Sequence, residues 1–450
     1  MSPATLRYHF PGRERRGRIF RLALPIMGGM MSQNVLNLVD TGMVGTLGDA
    51  ALAATGLGSF LNFLCMSFIL GLSVGVQAMA ARRLGEDRLS ETAVPLNGGL
   101  LLALSMGLPL AALMISVAPD LFAALNNDPA VVAAGTPYLQ VRLAAMAGVG
   151  MNFAFRGYWS AVHQTRLYFG TLVFMHSLNI FLNWVFIFGH LGAPALGVTG
   201  AGLATTLSIY TGTATYVLLG LRFARDNGFM GGIPKRSTFA TMLQVSLPSG
   251  LQQLFFSGGM VALFWIVGQI GTAQLAAANV LIHVMLVGVL PILGLGIAAA
   301  SLVGNALGRE DVGDANLWAW NVALLGVVLA LAVGVPVALF PNAILSVFIH
   351  DPDTLAIAHW PLVITALMIW NDALGMVLFH AHLGAGDSRR VMMVSIGYQW
   401  LFFLPLAYLT GPVLGFGLLT VWLLQAAYRA LQTATVIGLW RRGAWAGVKV

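Results

Sequence analysis

Between Ile19 and Leu439 the chain repeats one pattern: a run of roughly 20 or more apolar residues, a short polar loop, then another run. Twelve runs fall at about 19–44, 53–80, 93–117, 131–156, 167–189, 197–221, 240–268, 275–301, 316–340, 354–381, 391–410 and 414–439. Each is long enough to cross the roughly 30 Å hydrocarbon core of a bilayer as a helix. In lipid every backbone N–H and C=O must be satisfied within the segment, so the pattern predicts an all-α polytopic membrane protein with twelve transmembrane helices. With 58% hydrophobic and 9% charged residues, the chain also has too few charges to wet the surface of a soluble globule.

The basic residues gather in alternate loops. Arg7, Arg13, Arg15, Arg16 and Arg18 precede the first run. Arg82, Arg83 and Arg88, then Arg166, then Arg222, Arg225, Lys235 and Arg236, then Arg309, then Arg389 and Arg390 occupy every second loop, and Arg441, Arg442 and Lys449 close the chain. The intervening loops carry Asp49, Asp120, Asp128, Asp351 and Asp353 and no basic residue. Because Lys and Arg collect on the cytoplasmic side, both termini are expected in the cytoplasm of a multi-pass bacterial inner-membrane protein with an even helix count. The net charge of +7 is thereby a topology signal rather than a nucleic-acid-binding face. Arg142, inside the fourth run, breaks the pattern and is expected to snorkel or pair in a structural role; no other Arg or Lys is placed deep in a span. The first twenty residues lack the short apolar core and small-residue cleavage site of a removable signal peptide.

One cysteine, Cys65, excludes an internal disulfide, and the nine histidines show no zinc spacing. No GxSxG, HExxH or paired catalytic acids appear, so the chain is not expected to be an enzyme or to carry a cofactor.

The two halves repeat at one offset. Leu24-Pro25 recurs as Leu247-Pro248, Val44-Gly45 as Val267-Gly268, Leu52 as Leu275, Leu84-Gly85 as Leu307-Gly308 and Asp128-Pro129 as Asp351-Pro352, each 223 residues on. Six helices per copy return the chain to its starting side, which makes this a parallel internal repeat of two six-helix bundles. The expected division is an N-terminal lobe at 1–225, a cytoplasmic linker at 226–239 and a C-terminal lobe at 240–450. Such halves typically enclose a substrate cavity that opens to either side in turn, and Pro25, Pro248 and Pro291 offer bending points or simple packing kinks.

The runs LALPIMGGMMSQNVLNLVDTGMVGTLGDAALAA, ARRLGEDR, VGNALGRED and HLGAGDSRR, in that order, resemble the multidrug and toxic compound extrusion (MATE) family, of the NorM type, over nearly the whole chain. The resemblance implies a secondary active antiporter that exports cationic amphipathic drugs or other toxic organic compounds in exchange for protons or sodium ions by alternating access. Its partners would be organic cations and the lipid bilayer, with no nucleic acid, and it would act as a monomer. A flippase for a lipid-linked saccharide is the alternative; a membrane enzyme and an ion channel are more distant ones.

Asp40 and Asp372 are the acids that fall well inside the runs, where an unpaired charge costs about 2.5–3.5 kcal/mol even on permissive scales. Protonation or a bound cation offsets that cost, so both are candidate cation-coupling residues. Each is private to its half, since the repeat sets Asp40 against Leu263 and Asp372 against Val149. Gln33 and Asn37 share a helix face with Asp40, beside Thr41. His176, Asn179 and Asn183 form a stripe on the fifth run, and Thr205, Thr206 and Tyr210 lie on the sixth. The resemblance makes Asp40 the first-helix coupling acid and puts either Asn179 or Asn183 in its cluster; for the amides and threonines, plain interhelix bonding is the equal alternative. It also makes Asp372 the tenth-helix acid that helps bind cation in NorM-type members, with sodium a possible ligand and a bond to an arginine or to backbone the structural alternative. Those sodium-dependent relatives add a Glu on the seventh helix, whereas here QQLFFS, 252–257, holds no acid. Gln252, Gln253 and Ser257 offer only neutral oxygens, so protons are favoured over sodium. Asn279 and His283, four apart on the eighth run, are placed facing the C-terminal interior with Gln399, while His380 and His382 are placed at the membrane interface.

Overall fold

The computed structural model describes residues 10–450, and among these every regular element is helical. Arg7 lies outside the described residues. The first half of the chain forms α1 (Arg13–Gly45), α2 (Asp49–Met66), a 3₁₀ turn at Ser67–Gly71, α3 (Leu72–Gly85), α4 (Val94–Leu125), α5 (Pro129–Leu143), α6 (Met146–Ala161), α7 (Thr165–Phe188) and α8 (Gly197–Phe223). The second half forms α9 (Arg236–Ile270), α10 (Thr272–Gly308), α11 (Val312–Leu339), the short α12 (Pro341–Leu345), α13 (Pro352–Gly384), α14 (Ser388–Ile396), α15 (Leu404–Tyr408) and α16 (Gly417–Arg441), with π-helical turns at Gly397–Phe403 and Leu409–Val413 joining α14 and α15 into one rod.

Nine helical stretches among the described residues are long and apolar enough to cross a membrane. The other three expected spans are helical but differ in kind. The fourth is broken into α5 and α6 at Ala144–Ala145, and the sixth (α8) and twelfth (α16) are long but less apolar, because threonines punctuate α8 and Gln425 and Arg429 sit midway along α16. Large apolar side chains such as Leu38, Val287 and Leu401 are exposed.

Helix boundaries follow the sequence repeat. α10 runs from 272 to 308, and subtracting 223 gives 49 and 85, the ends of the α2–α3 stretch. The recurring Asp-Pro pair does the same job twice: Asp128 accepts the N–H of Ala130, Asp351 accepts that of Thr354, and Pro129 and Pro352 fill the first helical position, where no N–H is needed. The copies differ in continuity. α13 is unbroken where α5 and α6 part, and α10 is unbroken where the 3₁₀ turn interrupts α2–α3.

Packing divides the described residues into two compact units, one made of residues 10–27 together with Phe255–Lys449, the other of Gly28–Leu254. These boundaries are not those of the expected lobes. Each repeat's first helix changes unit part-way: the start of α1 packs among second-half helices, and the start of α9 among first-half helices. Small residues permit it. A Cβ on Gly71 would stand 2.4 Å from the Gly250 nitrogen and 2.5 Å from the Ser246 carbonyl oxygen, and one on Gly294 would stand 2.7 Å from Met27 Cγ. Gly71 and Gly294 lie 223 apart, as do Met27 and Gly250, so both crossings use the same contact of the repeat.

In the Gly28–Leu254 unit the core gathers Ile69, Phe122, Tyr138, Leu139 and Met146. The other unit has two cores. One joins Ile19, Leu22 and Ala23 of α1 to Leu295, Val303, Val322, Val377 and Trp440; the other surrounds Leu263, Val267, Leu281, Phe403 and Trp422. At one end of this unit Asp314 receives Arg15, Arg309 at 2.8 Å and Trp318 Nε1 at 2.8 Å, with the Arg15 guanidinium 4.3 Å above the Trp318 ring. That network holds the start of α1 against α11.

Candidate functional site

The Gly28–Leu254 unit assembles a polar cluster around Asp40. Asn183 Nδ2 donates to Asp40 Oδ1 at 2.6 Å, a short, charge-assisted distance. Asn183 is fully buried, Asn179 nearly so, and Asp40 is half-buried. Asn179 stands 3.0 Å from Thr205 Oγ1, and with its amide turned to complement its neighbours it donates to Asp40 Oδ1 at 3.1 Å and accepts from the Thr205 N–H at 3.1 Å. Thr205 is anchored by donating to the Ala201 carbonyl at 3.0 Å. The stripe on α7 therefore brings both candidate asparagines to the carboxylate, not one of them. Four-residue spacing on α7 and the facing turn of α8 suffice to build it.

A second string continues along α1. His176 Nδ1 lies 2.7 Å from Ser32 Oγ and its Nε2 lies 3.1 Å from Gln33 Oε1; Gln33 Nε2 in turn donates to Asn37 Oδ1 at 3.0 Å, and Thr41 Oγ1 donates to the Asn37 carbonyl at 2.8 Å. Gln33 and Asn37 are thus on the expected face, exposed, and tied to α7 through His176. Arg142 is the charged neighbour of Asp40, beyond ion-pair contact, and rests on Tyr138, whose hydroxyl it approaches at 3.4 Å. Tyr138 meets Ser59 Oγ at 2.8 Å. Thr206 and Tyr210 do not join this cluster. Thr206 donates to the Val141 carbonyl at 2.8 Å and Tyr210 to the Ala144 carbonyl at 2.7 Å, so they satisfy oxygens beside the α5–α6 break.

In the unit holding Phe255–Lys449, Asp372 on α13 faces Arg429 on α16, with Nε 3.1 Å from Oδ1 and side chains 10% and 22% exposed respectively. The Nε–H points off the line to the oxygen, so the pair is held more by charge than by a directed hydrogen bond. Thr365, Met285, Met368, Trp422 and Gln425 close around it, leaving a cavity of about 20 Å³, room for a single water or bare ion and far too small for a drug. The expectation that no basic residue other than Arg142 lies deep in a span is corrected here: Arg429 is midway along α16. The signal was available, because the repeat sets Arg429 against Thr206 as it sets Asp372 against Val149, so acid and base are private to the same half.

The neutral oxygens proposed to help Asp372 are not brought to it. Its cavity is lined by neither Gln252, Ser257, Asn279 nor His283. Gln252 belongs to the Gly28–Leu254 unit, and Ser257 is buried on α9. Asn279 and His283 are exposed on α10, where His283 Nδ1 meets the Asn279 carbonyl of its own helix at 2.8 Å, whereas Gln399 is buried and donates to the Phe256 carbonyl at 3.3 Å. The expected convergence of the three does not occur. His382, in the last turn of α13, is wholly buried, between Asp387 Oδ2 at 3.2 Å and the Trp440 ring. Among the described residues no cluster of His, Cys, Asp and Glu fit to hold a metal is found.

A duplicated helical membrane protein with a carboxylate at membrane depth in each half has the architecture of a transporter. The MatE family model matches residues 25–185 and again 248–409, two blocks that begin 223 residues apart, and the chain belongs to that family. It is 26% identical to the probable multidrug resistance protein NorM of Thermotoga maritima, over 96% of this chain and 93% of that one. To the probable multidrug resistance protein NorM of Mesorhizobium japonicum it is 28% identical, over 94% and 92%. Its fold matches that of a multidrug resistance MATE family transporter of the MOP superfamily solved in an outward-facing conformation, with a TM-score of 0.87 at 24% identity over 97% of both chains.

Proposed function

We propose that the chain is a secondary active antiporter of the bacterial inner membrane, with both termini in the cytoplasm, that exports cationic amphipathic compounds in exchange for protons at Asp40. The observation that carries this reading is the contrast between the two acids inside the expected spans. Asp40 is held by neutral amides and has no ion-pair partner among the described residues, whereas Asp372 has one in Arg429. A carboxylate surrounded by amides can be carried through the cycle in two states. Ionised, it accepts from Asn183 and Asn179 and attracts an organic cation; protonated, it is neutral and releases that cation. Antiport follows because one site cannot hold both charges at once. The basic loops support the cytoplasmic termini. A single chain suffices, since the repeat supplies both halves that such a cycle needs. The lipid-linked saccharide reading has less support, since the relatives that the chain resembles over most of its length are multidrug resistance proteins.

The test is efflux of a fluorescent organic cation from proteoliposomes under an imposed proton or an imposed sodium gradient. Proton-driven efflux that is lost in Asp40→Asn is the expected result; efflux driven by sodium alone overturns the proton reading.

A further inference from the structure

The Asp372 pocket carries a question that the proton reading leaves open. It has the parts of a small cation site: a carboxylate, the Thr365 hydroxyl and Gln425 Oε1, a buried acceptor that meets no donor. Thr365 already donates to the Pro361 carbonyl at 2.8 Å and accepts from Trp422 Nε1 at 3.2 Å, which fixes its oxygen toward the pocket. The cavity of about 20 Å³ fits a bare monovalent ion and excludes an organic one. Yet the one charge facing the carboxylate is the protein's own.

We infer that Arg429 is the resident counter-cation of Asp372 and so sets the ion specificity of this unit: with Arg429 in place the pocket rejects sodium, and without its charge the same oxygens bind sodium. A guanidinium stays protonated at every physiological pH, so it cannot step aside by losing a proton as a lysine can. A second positive charge beside it meets no further acid: Asp372 is the one acid lining the pocket, and no Asp or Glu occurs between Asp226 and Glu310, the stretch that contains α9 and α10. Repulsion between unit charges at about 4 Å weakens ion binding by roughly 100-fold or more even at an effective dielectric constant near 20. The donorless Gln425 oxygen, the Thr365 hydroxyl and the Asp372 carboxylate leave three oxygens for an ion once the guanidinium is gone. The inference rests on the proton reading only in that it explains why a single acid, Asp40, takes the coupling ion.

The full-length wild type, Arg429→Gln, Asp372→Asn and the double variant are purified and compared by sodium-22 binding. Unfolding temperature is then measured in sodium against potassium chloride at equal ionic strength. Saturable sodium binding in Arg429→Gln, at least about 100-fold tighter than in wild type and lost in the double variant, is expected, with a sodium-specific rise in unfolding temperature. If Arg429→Gln cannot be recovered in potassium, its recovery in sodium is the same positive result. No sodium effect in a folded Arg429→Gln, no rescue by sodium, or wild-type sodium binding that disappears in Asp372→Asn each overturns the inference. Failure of wild-type proteoliposomes to move dye under a proton gradient overturns the transport reading instead and leaves the sodium experiment unaffected.

Discussion

Replacing Asp372 by Asn, Arg429 by Gln, and both together measures what the buried pair contributes to the fold. At 3.1 Å, with side chains 10% and 22% exposed, the pair is shielded enough for its charges to act strongly. Its direct attraction is about 5 kcal/mol at an effective dielectric constant near 20. Removing two charges from water costs several kcal/mol for each ion, so the net worth of the intact pair is small. Deleting one partner is another matter, since it leaves a charge at membrane depth without compensation and costs about 3–5 kcal/mol. Each single variant should therefore unfold several degrees below wild type in detergent, followed by tryptophan fluorescence in sodium-free potassium buffer so that sodium cannot fill the gap in Arg429→Gln. The double variant, whose side chains are both neutral amides, should recover most of the loss, giving a coupling of about 5 kcal/mol or more. A double variant as unstable as the two singles combined would refute the pairing.

Much of this molecule was legible in the sequence because lipid enforces it. The Asp-Pro pairs at 128 and 351 each cap a helix, and the offset of 223 that joins them also joins the helix boundaries of α10 to those of α2–α3. Asp40, Asn179 and Asn183 were recoverable because the stripe on α7 is periodic and a lone acid in lipid needs partners. What hydropathy could not show is where a helix stops being continuous: the break at Ala144–Ala145 is stabilised from another helix by Thr206 and Tyr210, so apolar counting along one segment passes over it. Nor does polarity along a single helix say which neighbour it will face. Asn279 and His283 read as interior because they are polar at four-residue spacing, yet they lie on the open face of α10. Arg429 is legible as private to its half, since the repeat sets it against Thr206, but its pairing is not, because the acid it meets lies on another helix, α13.

Asn183→Leu removes the 2.6 Å donor from Asp40; a charge-assisted bond worth about 1.5–3 kcal/mol predicts that proton-driven dye efflux falls about tenfold or more, and unchanged efflux would show that the asparagine is mere packing. Outside the membrane, hydrogen bonds from the Thr354 hydroxyl and N–H hold the Asp351 carboxyl below its ordinary range. A lowered folded-state value means that this cap stabilises above the unfolded pKa of about 3.9 and fades as pH falls through the folded one. Acid unfolding of Asp351→Ala should accordingly depend less steeply on pH in that window than wild type, and identical slopes would dismiss the cap. Gly71 and Gly438 test the crossing of α9 into the Gly28–Leu254 unit by opposite signs. At Gly71 an added Cβ meets backbone atoms of Gly250 and Ser246, which cannot rotate away, so Gly71→Ala should destabilise by about 1–3 kcal/mol through overpacking. At Gly438, inside α16, the same Cβ meets nothing within 4 Å and removes backbone freedom from the unfolded chain, so Gly438→Ala should stabilise by about 0.5–1 kcal/mol. Thermal midpoints that move in the same direction would mean that the 3₁₀ turn and α9 do not approach this closely at Gly71, and the small-residue account of the crossing would fail.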